Sequence, residues 1–428
     1  MSKWYRLDNA AKIFPPSRSK NDYKVFRFSV TLLEPVKVDI LNKALDETLE
    51  EYPIFKSSLK KGIFWYYLEE VNKNYEVKME DKSPCSKISN NNLFEVSVYK
   101  NRINLEVDHA LTDGTGTLTF LKSLVANYLN SLYNIKNNEV INEGSIKEIK
   151  EDAFKKYKDS NFKKVLKSKR AYRIKDEKYI DNRLKVIEGI VSIDDIKVKA
   201  KEFDLTITEY LTSVLIKSIG EVKNKSKKPI VITIPVNLRK YYPTYTVRNF
   251  FSVVNIDYLY NNDTFRDIAK SVKNKFKEKL DKENIKDKMN SMIKLEDIFI
   301  VRLIPVFIKD FVLKIACNIE NKYQTMTLSN IGIINMPDVY KKYIDNSKIV
   351  FVNGTCGKFE DERFMEGTSN LFKVLSDARC KVIVGGGDTA SACKKFSSED
   401  KYYFISSGGG ATLEYIADGT LKALEWME

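Results

Sequence analysis

Apolar residues recur every three to four positions over 38–55 ("VDILNKALDETLEEYPIF"), 116–133 ("GTLTFLKSLVANYLNSLY") and 206–222 ("TITEYLTSVLIKSIGEV"), which predicts three amphipathic helices. The third opens on Thr206 or Thr208 as N-cap, with Glu209 at capping-box distance from Thr206. Short alternating or continuous apolar runs predict strands: "YKVFRFSVTL", "LFEVSVYKNRINLEVDHA", "KPIVITIPVNL" and "FFSVVNIDYLY". The polar break "KNR" folds the second run into a hairpin whose return strand ends at His109. The most apolar run, "IFIVRLIPVFIKDFVLKIAC" (298–317), is interrupted by Arg302, Pro305, Lys309, Asp310 and Lys314. Those charges exclude a membrane-spanning helix and favour a buried helix pair or core helix, with an interfacial membrane contact as the alternative.

The pattern changes near residue 347. From there on, strand-like runs each end in glycine and lead into a helix: "KIVFVNG", "CKVIVGGG" and "KYYFISSGGG", followed by "EDERFMEGTSNLFKVLSD", "DTASACKKF" and "ATLEYIADGTLKAL". Three such units in series predict a parallel sheet whose strand C-termini and helix N-termini share one edge, where open α/β sheets hold ligands. Ten of the 17 glycines lie in 347–428, and that segment carries a net charge of −2 against +16 for the residues before it. Two sequence histories meet at this seam. Before it, the basic stretch 147–180 reads as a surface connection between two lobes.

Composition narrows the function classes. With 43% hydrophobic and 30% charged residues, the 428-residue chain is globular and long enough for two or three cores. The net charge of +14 invites a nucleic-acid reading, but the lysines are interspersed with acids and no aromatic platform accompanies them, so no nucleic-acid partner is expected. Cys85, Cys317, Cys356, Cys380 and Cys393 are odd in number with no CxxC spacing, which fits reduced thiols. The opening segment has no apolar h-region, and the cytoplasm is the expected location.

His109 is the chain's sole histidine, and it stands in "EVDHALTDGTG" four residues before Asp113-Gly114. An imidazole just past a strand can project into a cleft, and its ordinary pKa near 6.5 suits it to general-base work. Gly114 and Gly116 are expected to keep the space before the ring open. A core or surface histidine followed by an ordinary Asp-Gly turn would show the same spacing.

This stretch resembles the HxxxDG motif of the coenzyme A-dependent acyltransferases of the chloramphenicol acetyltransferase fold, a superfamily that includes condensation domains. The likeness is strongest to the alcohol O-acetyltransferase branch and runs over about residues 1–346. It extends to "WYRLDNAAKIFPP", "KGIFWYYLEE", "TEYLTSVLIKSI", "IPVNLRKYYP" and "TLSNIGIINMP". The resemblance implies a two-lobed fold with a tunnel between the lobes and acetyl-CoA or another acyl-CoA as cosubstrate. His109 would deprotonate a small-molecule alcohol or other hydroxyl acceptor. Asp113 would be structural and pair with Arg239, and Ser329 and Asn330 would sit where the superfamily stabilises the oxyanion. The last strands of the second lobe have no counterpart in the sequence.

The tail resembles the C-terminal end of phosphoglycerate kinase through "VFVNGTCGKFEDERFMEGT", "VIVGGGDTASA" and "ISSGGGATLEYI". That likeness implies nucleotide contacts at Asn353, at Glu360 for ribose hydroxyls, and at Gly385, Gly386, Gly387, Asp388 and Thr389 around the phosphates. Gly408, Gly409 and Gly410 would close the same edge, and Asp388 would face Mg²⁺. Free backbone N–H groups at helix N-termini suit such an anion. Segments of the "DFNVP" and "SHLGRP" type, which grip the sugar acid, do not occur, so at most residual ATP and Mg²⁺ binding is expected.

The expected fold class is therefore α/β: a two-lobed chloramphenicol acetyltransferase-like fold with a truncated second lobe, then a βαβαβα tail with a three-stranded parallel sheet. The expected divisions are 1–178, 179–346 and 347–428. The expected function is O-acyl transfer. The alternatives are a nucleotide-binding or phosphotransfer segment, or a fusion with no robust activity.

Overall fold

The computed structural model describes residues 3–20, 22–88, 91–135, 141–159, 170–174, 189, 191–222, 226–297, 302–344, 349–353, 369, 372–373, 375–376, 381–385, 387–402 and 404–406. The chain divides into two compact units, Met1–Tyr343 and Ile344–Glu428. The expected boundaries at 178/179 and 346/347 both fall outside the described residues.

In the first unit, β1 (Trp4–Arg6), β3 (Ser57–Lys61) and β4 (Tyr66–Glu70) form an antiparallel sheet in the order β1-β4-β3. A four-stranded sheet joins β2 (Val25–Thr31), β5 (Lys78–Met79), β6 (Phe94–Tyr99) and β7 (Arg102–Asp108) in the order β2-β7-β6-β5. The expected hairpin is β6–β7, with Tyr99 opposite Arg102. Against this sheet lie the helices Val38–Glu51 and Gly114–Tyr133, and their shared core is aromatic. Phe120 stacks on Phe55 at 4.0 Å between ring centroids, Phe94 closes the group, and the buried Tyr52 hydroxyl meets Ser123 Oγ at 2.9 Å.

A third sheet carries β8 (Ile230–Asn237), β9 (Phe251–Tyr258) and β10 (Met326–Thr327) in the order β10-β8-β9, with β10 parallel to β8. Its alternate residues Ile230, Ile232 and Ile234 pack with Val254, Ile256, Ile216, Ile268 and Val272 into a separate core. The helix Ile207–Val222 begins with the reciprocal cap read from sequence: Thr206 N–H donates to Glu209 Oε2 (2.7 Å) and Glu209 N–H to Thr206 Oγ1 (3.3 Å).

The 298–317 run departs from expectation. Its main helix, Val306–Glu320, buries only Val306 and Lys309, while Phe307 (65%), Phe311 (67%) and Val312 (56%) are exposed. Among the described residues no helix is long and apolar enough to cross a membrane.

In the second unit β11 (Ile349–Asn353), β12 (Lys381–Gly385) and β13 (Phe404–Ser406) are parallel, in that order. A small core of Phe372, Leu375, Val384, Ala392, Cys393 and Tyr402 holds the sheet to the helix Gly387–Phe396. The expected helix over 411–424 lies outside the described residues.

Candidate functional site

His109 follows β7 at the point where the chain turns toward the helix Gly114–Tyr133. Its backbone N–H donates to the Lys24 carbonyl (2.9 Å), and its carbonyl accepts from Asn249 Nδ2 (3.0 Å). The imidazole is stacked against Phe14, 4.6 Å between centroids and 15° between planes, and tilted against Phe26 at 4.3 Å. Phe251 stands 6.4 Å away. Nδ1 is buried without a hydrogen-bond partner.

These surroundings correct the expectation of an ordinary imidazole. Burial among aromatic rings removes the water that would solvate an imidazolium and lowers the pKa from 6.5 to about 4; the Asp113 charge and the Thr112 backbone act the other way but do not prevail. The ring is therefore neutral at pH 7, with a free lone pair but a weak pull on a proton.

Asp113 is fully engaged. One oxygen accepts from the Gly116 N–H (2.9 Å) and caps the helix; the other accepts from Arg239 Nη1 (2.8 Å) and the Phe250 N–H (2.8 Å). Arg239 in turn donates Nε to the Thr246 carbonyl (3.0 Å) and Nη2 to the Arg248 carbonyl (2.6 Å). The Thr112 hydroxyl donates to the Val247 carbonyl. The loop after β7 is thus clamped to the 239–250 loop by a buried ion pair and three hydrogen bonds that involve backbone groups, and both Asp113 oxygens are engaged.

The glycines act differently from the sequence expectation. A Cβ on Gly116 would overlap the Val247 carbonyl and the Thr112 hydroxyl, so Gly116 is required by the close approach of the two loops and not by free space before the ring. A Cβ on Gly114 would meet Phe28 at 3.7 Å, an ordinary contact, so no steric requirement for glycine exists there.

Ser329 and Asn330 are both exposed. The Asn330 amide donates to Thr208 Oγ1 (2.8 Å), and its carbonyl oxygen accepts from the Gly332 N–H (2.9 Å), so it fastens a turn.

Sequence reading missed several residues around His109. Phe14 and Phe26 supply its walls, and Asn249 holds its backbone. Asp108 accepts from Arg18 Nη2 (2.5 Å) and from the Ala110 N–H (2.8 Å), fixing the strand end. Asp8 accepts from the Ala11 N–H (2.8 Å), and Asn249 Nδ2 reaches it at 3.5 Å. Burial raises the Asp8 pKa from 3.8 to about 6. Only "WYRLDNAAKIFPP", which holds Asp8 and Phe14, carried any hint of this.

In the second unit, register places Asn353 opposite Gly385, and Gly385 opposite Ser406, in one row at the strand C-termini. Gly387, Asp388 and Thr389 open the helix that follows β12, with Thr389 buried. Glu360, Gly386, Gly408, Gly409 and Gly410 lie outside the described residues. Among the described residues no group of three His, Cys, Asp or Glu side chains stands close enough to hold a metal ion.

Comparison with solved structures shows the fold. The TRI101 protein of F. graminearum, complexed with ethyl coenzyme A, superposes with a TM-score of 0.50 at 12% identity, over 78% of this chain and 85% of that one. Polyketide synthase associated protein 5 from Mycobacterium tuberculosis aligns at 15% identity and a TM-score of 0.46, over 66% of this chain and 75% of that one. The fold is a mixed α/β fold like that of the TRI101 protein. The phosphoglycerate kinase family matches residues 315–419. Phosphoglycerate kinase of Leptospira biflexa is 40% identical over 88 residues, 21% of this chain and 22% of that enzyme. The enzyme of Haloarcula marismortui is 47% identical over 51 residues, 12% of this chain and 13% of its own length. The chain thus spans under a quarter of either kinase. The family match begins 29 residues before the second unit, yet Met326–Thr327 pairs with β8 of the first.

Proposed function

We propose that the first unit transfers an acyl group from acyl-CoA to a hydroxyl acceptor, with His109 as general base. The observation that carries this is a single imidazole, neutral and desolvated, on a loop that a buried carboxylate–guanidinium pair makes rigid. The superposable fold supports it.

A neutral imidazole of low basicity does not ionise an alcohol beforehand. It takes the proton as the acceptor oxygen bonds to the thioester carbonyl carbon, so proton transfer and attack are coupled. The resulting oxyanion needs a donor. Ser329 and Asn330 are the proposed donors, Asn330 through the amide N–H that is not given to Thr208. Collapse of the adduct breaks the carbon–sulfur bond, and the imidazolium returns its proton to the departing thiolate. The Phe14 and Phe26 rings keep water from competing as acceptor. Asp113 and Arg239 hold the loop and touch no reacting atom.

The test is thiol release from acetyl-CoA against a panel of primary alcohols. His109→Ala lowers kcat/KM by about 10²–10⁴-fold in a chain that still unfolds cooperatively, at a lower melting temperature because the ring's packing is lost. Retention of activity within a factor of about two of the parent, against that expected range, overturns the assignment.

A second reading rests on a separate observation, the kinase-like strand ends. The Ile344–Glu428 unit would bind a nucleotide there, at Asn353, Gly385 and Asp388. Calorimetric titration of the full chain with ATP, with and without Mg²⁺, tests it. Heat that persists unchanged in Asp388→Ala argues against the site.

A further inference from the structure

The first unit encloses a cavity of ≈ 1010 Å³ that the reaction above does not use. Six cationic side chains line it, Arg6, Lys12, Lys155, Lys158, Arg248 and Arg302, against two carboxylates, Glu69 and Asp152. Both carboxylates are already engaged: Glu69 pairs with Lys60 (3.6 Å), and Asp152 caps the helix Ala153–Lys156 through the Lys155 N–H (3.3 Å). The side chains of Arg6 and Lys155 are exposed and have no hydrogen-bond or ion-pair partner among the described residues.

Behind them lies a buried guanidinium. Arg248 is 4% exposed; it donates to the Arg6 carbonyl and stands 3.7 Å from Asp8, but its Nε is buried with no partner. A buried, unsatisfied N–H of a charged group is costly unless something supplies an acceptor.

The walls are aromatic. Trp4 meets Tyr67 edge to face at 6.3 Å, and Trp65 carries two ammonium groups, Lys309 at 3.4 Å and Lys12 at 5.2 Å from the ring centroid. Lys309 is itself buried, and its Nζ donates to the Phe64 carbonyl at 2.9 Å. Burial lowers its pKa, and the nearby Lys12 charge acts in the same direction.

We propose that this cavity binds a small organic anion bearing a flat ring, with the anion held by Arg6, Lys155 and Arg248 and the ring laid against Trp4 and Trp65. The volume suits one small molecule and not a polymer. Along the chain, its lining residues Lys12 and Arg248 lie two residues before Phe14 and one before Asn249, which contact His109. Two sources share the chemistry. One is the nucleotide portion of a coenzyme A cosubstrate, which rests on the acyl-transfer reading; the other is an aromatic acid, which does not.

Two of the three tryptophans line the cavity, so indole fluorescence of the full chain, excited on the red edge of its absorption, reports occupancy directly. The titrants are adenosine 3′,5′-bisphosphate, 4-hydroxybenzoate and inorganic phosphate. The expected result is saturable quenching by a ring-bearing anion with a Kd below about 1 mM, and binding of phosphate alone at least about tenfold weaker. The double variant Arg6→Ala/Lys155→Ala weakens that binding about tenfold or more, and raising salt narrows the difference. Both positions are exposed, so the fold survives the change. Saturation by the bisphosphate identifies the cosubstrate end, and by the hydroxybenzoate an acid. No saturation by either, equal binding of phosphate, or an unaffected double variant overturns the proposal. None of these outcomes bears on the His109→Ala measurement, so the two readings fail separately.

Discussion

The helices Gly114–Tyr133 and Val306–Glu320 look alike in sequence, each apolar on more than one face, yet they end in opposite environments. The first buries Phe120, Leu121, Leu124, Val125, Tyr128 and Leu129, whereas the second leaves Phe307, Phe311, Val312, Ile315 and Ile319 exposed. An apolar pattern states that a helix needs cover; it does not supply the cover. For Gly114–Tyr133 the cover is close in sequence, in Val38–Glu51 and the β6–β7 hairpin. After Val306–Glu320 come β10 and then a unit whose three strands pair with one another.

The largest effect is expected where the covered helix begins. Asp113→Ala removes one partner of a buried ion pair, leaving Arg239 uncompensated, at about 3–5 kcal/mol. Loss of the cap adds about 1 kcal/mol. Urea unfolding measures both. If Arg239→Ala and Asp113→Ala are fully additive in a double-mutant cycle, the clamp is not a clamp.

Phe120→Ala comes next, at about 3–5 kcal/mol, since it opens a cavity among Phe55, Tyr52 and Phe94. A cost near 1 kcal/mol, far under that range, would show that the core refills and that cover matters less than argued.

The same cover sets the titration of His109. Its folded pKa of about 4 lies below the ordinary 6.5, so its contribution to stability is present above pH 6.5 and lost as pH falls through 4. Asp8 runs oppositely: its folded pKa of about 6 lies above 3.8, so its contribution is present below 3.8 and lost as pH rises through 6. The two slopes offset between pH 4 and 6. In His109→Phe only the Asp8 slope remains, and stability falls as pH rises across that window. NMR follows the parent directly, because a chain with one histidine gives one imidazole signal. A midpoint near 6.5 in place of 4 would mean that Phe14 and Phe26 do not shut out water.

What was legible in the sequence was local. The helix over 206–222 and its Thr206–Glu209 cap follow from adjacent residues, as does the hairpin that delivers His109. The ring walls were not legible, because Phe14 and Phe26 come from elements far upstream that only the folded sheet brings to His109. Spacing alone also could not join Asp113 to Arg239, 126 residues apart; the family resemblance suggested the partner. Gly116 misled for a related reason. Its constraint is the Val247 carbonyl, which belongs to the other loop.

The smallest effect on stability is expected at the bare helix, and there the comparison is easiest to break. Phe311→Ser replaces a side chain that is 67% exposed, so little apolar burial is lost on unfolding and the change stays within about 0.5 kcal/mol. Contiguous exposed apolar surface nevertheless promotes association and dye binding. The variant therefore binds less of a hydrophobic dye in the native state and sediments with less concentration dependence than the parent, at an unchanged urea midpoint. A loss of about 3 kcal/mol, the cost of emptying a packed aromatic site, would show that Val306–Glu320 is covered in solution, and the contrast with Gly114–Tyr133 would then disappear.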